Sequence, residues 1–406
     1  MPMTDRKVGP TWKVRHGKHS LHADLLYIGL TSATAPLAIR ERVRPTPDQQ
    51  REMLSHLGGI AHGRMILATC ERCEIYAVTD VTDLSRWKSC LAESLRLPLD
   101  VLEEYTVVRR GASAAEHLLR VAAGLESRVL GEPQILGQVR TGYAAAGEIR
   151  ALDPVLAALG RHAIRVGRRV RAETQLNRSG QSIGTVAVDH VLGLYRRNGP
   201  TVTGGLAQDS TASIVIVGSG HMAADVAAHA ARRGTKRVIV GRNRHRGDAL
   251  AYRFGAIHVP FEGLAAAIVD ADGVIVCTSA PSYVIDQTSV SSERHRPLHL
   301  VDLCVPRNVD PAIARMEGVN LWHLDELLAG RATITSGVTL AEAIVREEHE
   351  RFNRWRQERL VAGRISALIH RANQRVVPLT LEDKRRIHRQ IVRLKAGTLL
   401  SAVAAA

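Results

Sequence analysis

The chain has 406 residues, 45% of them hydrophobic and 23% charged, which suits two or three packed domains and excludes a disordered or low-complexity polymer. Its formal charge of +15 attracts polyanions such as RNA, although with only 3% aromatic residues no stacking platform accompanies the field and a solvated arginine-rich surface explains it equally well. There is no apolar run of about 18 residues to span a membrane, the basic segment through His22 lacks a secretory apolar stretch, and five cysteines are too few for a disulfide framework, so a cytoplasmic setting is expected.

Residues 1–22 are expected to be a flexible basic tail. From Asp24 to about Tyr105, strand-like runs such as Leu25–Leu30 alternate with helical segments such as Pro47–His56, which reads as an α+β unit. Within it, Ile66–Tyr76 sets Thr69, Cys70, Glu71 and Arg72 in a polar turn between two apolar runs. A thiol attacks as thiolate, and a guanidinium two residues away can lower its pKa or grip a carboxylate through paired hydrogen bonds. The same cysteine can equally be a small buried hydrophobe, and Cys70 with Cys73 can be read as a redox pair. No second Cys/His pair stands at metal-ligand spacing, so no metal site is expected.

Leu118, Val121, Ala122 and Leu125 fall at helical spacing, and Gly131–Gln138 opens a further helix with Pro133 at its first position. Gln134 and Gln138 share one face of that helix, either as solvated residues or reaching into a cleft.

After residue 180 the architecture changes. Ile214–Val217, the turn Gly218-Ser219-Gly220-His221-Met222-Ala223, a helix to about Arg233 and the run Arg237–Val240 form a βαβ unit with a dinucleotide-type glycine turn. Gly218 permits the turn, Gly220 lets the backbone approach a pyrophosphate and Ala223 keeps helix and sheet close. Gly241, Arg242 and Asn243 stand where an NAD enzyme carries a ribose-binding carboxylate, and the arginine suits a 2′-phosphate, which favours NADPH. The runs Gly273–Cys277 and Leu298–Leu303 continue a doubly wound sheet. In the last third, Val338, Ala341, Val345, Phe352 and Trp355 form a narrow apolar stripe on a charged helix, for which a second protomer is the simplest partner and packing within the chain the alternative. Thr380 can cap a last helix with Ile387, Ile391, Leu394 and Leu399 on one side.

The order of these blocks resembles the glutamyl-tRNA reductase family. The match runs from Gly29-Leu30 and Arg40-Glu41, through Thr69–Arg72, Gly124–Ser127 and Leu130–Gln138, to Val166–Thr174, the glycine turn, and Val301–Leu303 with Val305–Arg307. The resemblance implies an α+β catalytic domain over 23–176, a Rossmann-like doubly wound NADP-binding domain over 177–330 and a long-helix dimerisation domain over 331–406. It also implies reduction of glutamyl-tRNA by NADPH to glutamate-1-semialdehyde through a cysteine thioester, the entry to 5-aminolevulinate and tetrapyrrole biosynthesis. Cys70 would be the nucleophile and His117 a residue important for activity. Thr69, Glu71, Arg72, Ser127, Glu132, Pro133, Gln134 and Gln138 would line the glutamate pocket. A homodimer and a partner aminomutase are implied, with no DNA or membrane partner. The chain departs from the family at Thr31-Ser32, Glu71 and Cys73, and Glu71 is expected to raise the pKa of the neighbouring thiol. A paralogue running the same chemistry in specialised metabolism, or a non-catalytic homologue that binds tRNA or a partner, are the competing readings.

Overall fold

A computed structural model describes residues 23–174, 176, 182–198, 212–290, 296–329, 337–373 and 381–404. The expected tail, the spacer before Ala212 and the Thr380 cap lie outside them.

The first unit is built on the strands β1 (Asp24–Thr31), β2 (Gly63–Ala68), β3 (Arg72–Thr79) and β4 (Val107–Arg110), paired antiparallel in the order β2-β3-β1-β4. On one face, Leu26, Ile28, Ile66, Cys73, Ile75 and Ala77 pack against α1 (Leu37–Arg42), α2 (Pro47–His56), α3 (Leu84–Leu95) and α4 (Leu99–Tyr105). The other face, carrying Leu25, Tyr27, Met65 and Tyr76, is covered by α5 (Gly111–Ala123), α6 (Gln134–Glu148) and α7 (Pro154–Glu173). Side chains alternate along a strand, so β3 sends Arg72, Glu74 and Tyr76 to the α5 side and Cys73, Ile75 and Ala77 to the other. α2 begins with a capping box between Thr46 and Gln49 and α7 with Asp153 accepting from Val155 and Leu156, which fixes both helices at their N-termini. Pro133 stands one residue earlier than expected, capping α6 rather than opening it.

The second unit comprises α8 (Ile183–Asn198), β5 (Ser213–Val217), α9 (His221–Arg232), β6 (Lys236–Gly241), α10 (Arg244–Phe254), β7 (Ile257–Pro260), α11 (Leu264–Val269), β8 (Gly273–Val276), β9 (Leu298–Asp302), β10 (Val319–His323) and α12 (Leu324–Leu328). Its strands are all parallel, in the order β10-β9-β8-β5-β6-β7. Read from β7 this is the 3-2-1-4-5-6 doubly wound order, whose ligand crevice opens beyond the strand ends between β5 and β8. The expected Rossmann-like α/β architecture is therefore what the chain adopts. The central strands are buried on both faces, which is why they read as unbroken apolar runs.

The C-terminal helices α13 (Val338–Asn373) and α14 (Leu381–Ala404) pack on each other. The expectation that the α13 stripe covers a second protomer is corrected here. Ala341, Ile344, Val345 and Phe352 are buried in the core of the first unit, against α5 and α7 of the same chain, with Val338 and Trp355 beside them. Small residues on α5 (Ala114, Ala115, Ala122) leave the trough that receives the helix. Polar contacts lock it: the fully buried Glu348 meets Arg165 at 2.6 Å and His162 at 2.8 Å, Arg356 pairs with Asp24, and His349 donates to the Ala112 carbonyl at 3.0 Å. On α14, Ile387, Ile391 and Leu394 are half-buried, whereas the Leu399 side chain lies outside the described ones. No described helix is long and apolar enough to cross a membrane.

Candidate active site

The turn between β2 and β3 is built by Thr69. Its hydroxyl accepts from the amides of Glu71 (3.1 Å) and Arg72 (3.3 Å), and its amide donates to the Arg72 carbonyl (2.8 Å). Thr69 therefore shapes the turn that presents Cys70. The Cys70 side chain is half-buried and packs against the core of the second unit, while Cys73 lies under the sheet in the other core. A Cys70–Cys73 redox pair is thus excluded by the two opposite surroundings. Burial pushes the Cys70 thiol up to about 12, and Glu71 and Glu132 add to the rise as expected for Glu71; Arg44 and Arg40 oppose it.

The Arg72 fork is largely taken by partners within the chain, and the cations that lower the Cys70 thiol are Arg44 and Arg40 rather than the expected Arg72. Arg72 is almost fully buried, its Nη1 donates to Glu74 Oε1 at 3.0 Å and its Nη2 to the Glu126 carbonyl at 2.5 Å. Burial alone would lower its pKa, but Glu74 and then Glu71 raise it. Its Nε is buried without a partner. Glu74, fully buried, is the residue that sequence reasoning missed. Its Oε1 also meets His117 Nε2 at 3.1 Å, and its Oε2 accepts from the Tyr76 hydroxyl at 2.8 Å. Burial would raise the Glu74 carboxyl, but Arg72, His117 and Tyr76 together hold it below the ordinary range. His117 sits against the Tyr27 ring with centroids 4.4 Å apart, so its ring is fixed by Glu74 and two tyrosines. The signal that could have found Glu74 is its place two residues after Arg72 on the same strand face.

The remaining predicted pocket residues come from the loop after α5 and from α6. Gly124 (φ +80°) and Gly131 (φ +72°) touch back to back: a Cβ on Gly124 would lie 2.9 Å from the Gly131 Cα. That close approach folds the loop so that Ser127 Oγ reaches Glu132 Oε1 at 3.4 Å, both side chains buried. Burial, then the nearby Glu71, raises Glu132 to about 7. Pro133 is exposed. Gln134 donates to Asp225 Oδ2 at 2.6 Å and approaches Met222 Sδ, both on α9, so it bridges the two units. One turn on, Gln138 Oε1 is buried without a partner, as is Glu71 Oε1.

On the second unit, Gly218 has φ +128°, and a Cβ there would meet the Cys277 carbonyl at 2.6 Å. Gly220 faces open space, and α9 begins at the exposed His221, so its first amides line an open cradle. Ser219 is half-exposed, and Ala223 is fully buried where helix meets sheet. This donor set fits a dinucleotide pyrophosphate. Arg242 is exposed at the end of β6, its guanidinium 5.9 Å from the Phe261 ring centre. Asn243 caps α10 by accepting from the Arg246 amide at 2.9 Å, a structural duty that its sequence position did not disclose. Among the described residues no group of His, Cys, Asp and Glu could hold a metal ion.

Comparison with known proteins agrees with both halves. Residues 28–174 match the family model described as the N-terminal domain of glutamyl-tRNA(Glu) reductase, and residues 204–329 match that of shikimate/quinate 5-dehydrogenase. The glutamyl-tRNA reductase of Desulfitobacterium hafniense (strain DSM 10664 / DCB-2) is 34% identical over 363 residues, covering 86% of this chain and 79% of that protein. That of Carboxydothermus hydrogenoformans is 33% identical over 365 residues, covering 86% and 78%. Among solved structures, the glutamyl-tRNA reductase from Methanopyrus kandleri aligns over 94% of this chain and 98% of its own, at 26% identity and a TM-score of 0.45. The second unit is of the type that binds a nicotinamide nucleotide. At this identity and coverage, the chain belongs to the glutamyl-tRNA reductase family, a family of oxidoreductases.

Proposed function

We propose that this protein reduces the glutamyl ester of tRNA to glutamate-1-semialdehyde with NADPH, through a thioester on Cys70, as the first step of 5-aminolevulinate and tetrapyrrole synthesis. One observation carries the reading: the thiol on the Thr69–Arg72 turn packs against the nucleotide unit, while Glu71 Oε1 and Arg72 Nε on the same turn and Gln138 Oε1 on α6 are buried without partners. Buried polar atoms without partners are costly, and here they match a small zwitterion: the two oxygens suit an ammonium group and the guanidinium nitrogen suits a carboxylate. An aminoacyl ester is already activated, so a thiolate displaces the ribose hydroxyl without further help. The C–S bond forms, the C–O bond to the ribose breaks, and the leaving oxygen takes a proton. Residues Gly218–Ala223 would hold the nucleotide, which when bound supplies the hydride that turns the thioester into the aldehyde. Arg242 would pair with its 2′-phosphate. Glu74 keeps His117 and Arg72 oriented on the α5 side of the turn. In the cell we place the protein in the cytoplasm as a homodimer, handing its reactive aldehyde to an aminomutase.

The test is mass spectrometry of protein quenched with glutamyl-tRNA in the absence of nucleotide, which should show one glutamyl adduct on the peptide holding Cys70. Cys70→Ser should lose the adduct, whereas Cys73→Ser should keep it, since Cys73 lies in the opposite core. No adduct together with no tRNA deacylation would leave a non-catalytic binding protein as the better reading.

A further inference from the structure

The two units meet around Cys70 through a small set of charged groups, and one residue is the hub. Asp325, on α12 of the nucleotide unit, accepts from Arg40 Nη2 with both carboxylate oxygens at 2.6 Å. The same carboxylate accepts from Arg128 Nη1 at 2.6 Å, and the Asp325 carbonyl accepts from Arg128 Nη2 at 3.0 Å. The far ends of these arginines hold the nucleophile turn. Arg40 Nη1 donates to the Cys70 carbonyl at 2.6 Å and its Nε to the Ala35 carbonyl at 3.2 Å, while the Arg128 amide donates to Glu71 Oε2 at 3.4 Å. Two further pairs flank this clasp. Glu41 accepts from the Arg307 side chain at 2.8 and 2.9 Å, and Gln134 meets Asp225. Arg307 is presented by the loop after β9, which the fully buried Asp302 pins by accepting from the amides of Cys304, Asn308 and Val309.

We infer that Asp325 is a positioning residue that separates the two half-reactions, docking the nucleotide unit for reduction while taking up the guanidinium charge that favours attack by Cys70. The inference rests on the function proposed above. Acylation needs the Cys70 thiolate, and the cations that favour it are Arg44 and Arg40. With Asp325 bound, Arg40 is neutralised and the thiol is covered. With the unit swung away, Arg40 faces the turn without a counter-charge, so the thiolate is favoured and the ester can enter. Once the thioester stands, the thiol no longer needs activation. Return of Asp325 then docks the nucleotide unit over the turn, where a nucleotide held by Gly218–Ala223 would supply its hydride and closeness of the reacting atoms becomes the requirement. The Asp325 side chain is one-third exposed, as a clasp that must open requires.

Asp325→Asn keeps the shape and removes the charge. NADPH-dependent semialdehyde formation should fall by at least about tenfold, as for truncation of a hydrogen-bonded charge pair. Deacylation of glutamyl-tRNA without nucleotide, in which water attacks the thioester carbon and the sulfur leaves, should stay at or above the wild-type rate. Asp325→Glu should recover part of the reduction, and Arg128→Gln should reproduce the split from the opposite side. Alkylation of Cys70 by iodoacetamide, with no substrate present, should be faster in Asp325→Asn. Parallel loss of both activities, unchanged reduction, or unchanged alkylation would each overturn the assignment. Since alkylation needs no substrate, it reports on Asp325 even if the wild type forms no glutamyl adduct, which is the separate outcome that would sink the functional reading.

Discussion

Replacing Glu74 with Gln tests whether the buried network beside the nucleophile turn holds the site together. The carboxylate is fully buried and meets Arg72, His117 and Tyr76, while Arg72 is itself almost entirely buried. Removing one partner of such a pair leaves a buried charge uncompensated, at a cost of about 3–5 kcal/mol. The folded-state pKa of Glu74 lies below its ordinary value, so its contribution is present above the ordinary glutamate range and is lost as pH falls through the folded value. Glu74→Gln should therefore unfold in urea with a stability deficit of about 3–5 kcal/mol at pH 7, shrinking as the pH is lowered below about 4. The double variant Arg72→Met with Glu74→Leu removes both charges and should regain most of the stability, while semialdehyde formation stays lost. A deficit under about 1 kcal/mol at pH 7 would show that the Glu126 carbonyl alone satisfies the guanidinium, and the network would lose its assigned role.

Three further outcomes follow from the geometry. Glu132 is raised to about 7, so nucleotide-free deacylation should show a step near neutral pH, and Glu132→Gln should remove that step from the pH–rate profile. Phe352→Ala should cost about 3–5 kcal/mol of stability independent of protein concentration, because Phe352 is buried within its own chain; a concentration-dependent deficit in denaturant titrations would return the stripe to an interface between protomers. Arg242→Asp should weaken NADPH binding much more than NADH binding, by loss of a charge-assisted contact and added repulsion, and a wild type with equal affinity for both nucleotides would refute the assignment.

The nucleotide unit was legible because each local signal pointed the same way: a buried strand, a glycine turn, a helix with Ala223 at its small position, and a second strand. The turn at Cys70 was legible as a turn between strands, but the partners of its side chains were not. β3 is buried along its whole length, so the alternation of Arg72 and Glu74 with Cys73 and Ile75 marks a shared face but gives no sign that this face is buried and its charges paired. The cations near the thiol, Arg40 and Arg44, come from 30 and 26 residues upstream, a pairing that spacing cannot disclose. The α13 stripe announced burial correctly, yet periodicity identifies a face and never its occupant. Its trough is formed by α7 and α5, roughly 180 to 230 positions earlier. Asn243, placed with the cofactor by motif position, also serves as a helix cap, a role that position alone did not disclose.

Because α13 returns to the first unit, the nucleotide unit is an insertion, entered between Leu176 and Ser182 and left between Ala329 and Gly337. A body hung from one strand of chain swivels about every axis, whereas one hung from two is largely confined to a hinge through both attachment points. The nucleotide unit is of the second kind, tied to the first unit at both of its ends. In the reaction proposed above, a nucleotide held by this unit would meet the thioester as an intramolecular neighbour, at an effective concentration set by the chain and independent of how much enzyme the cell holds.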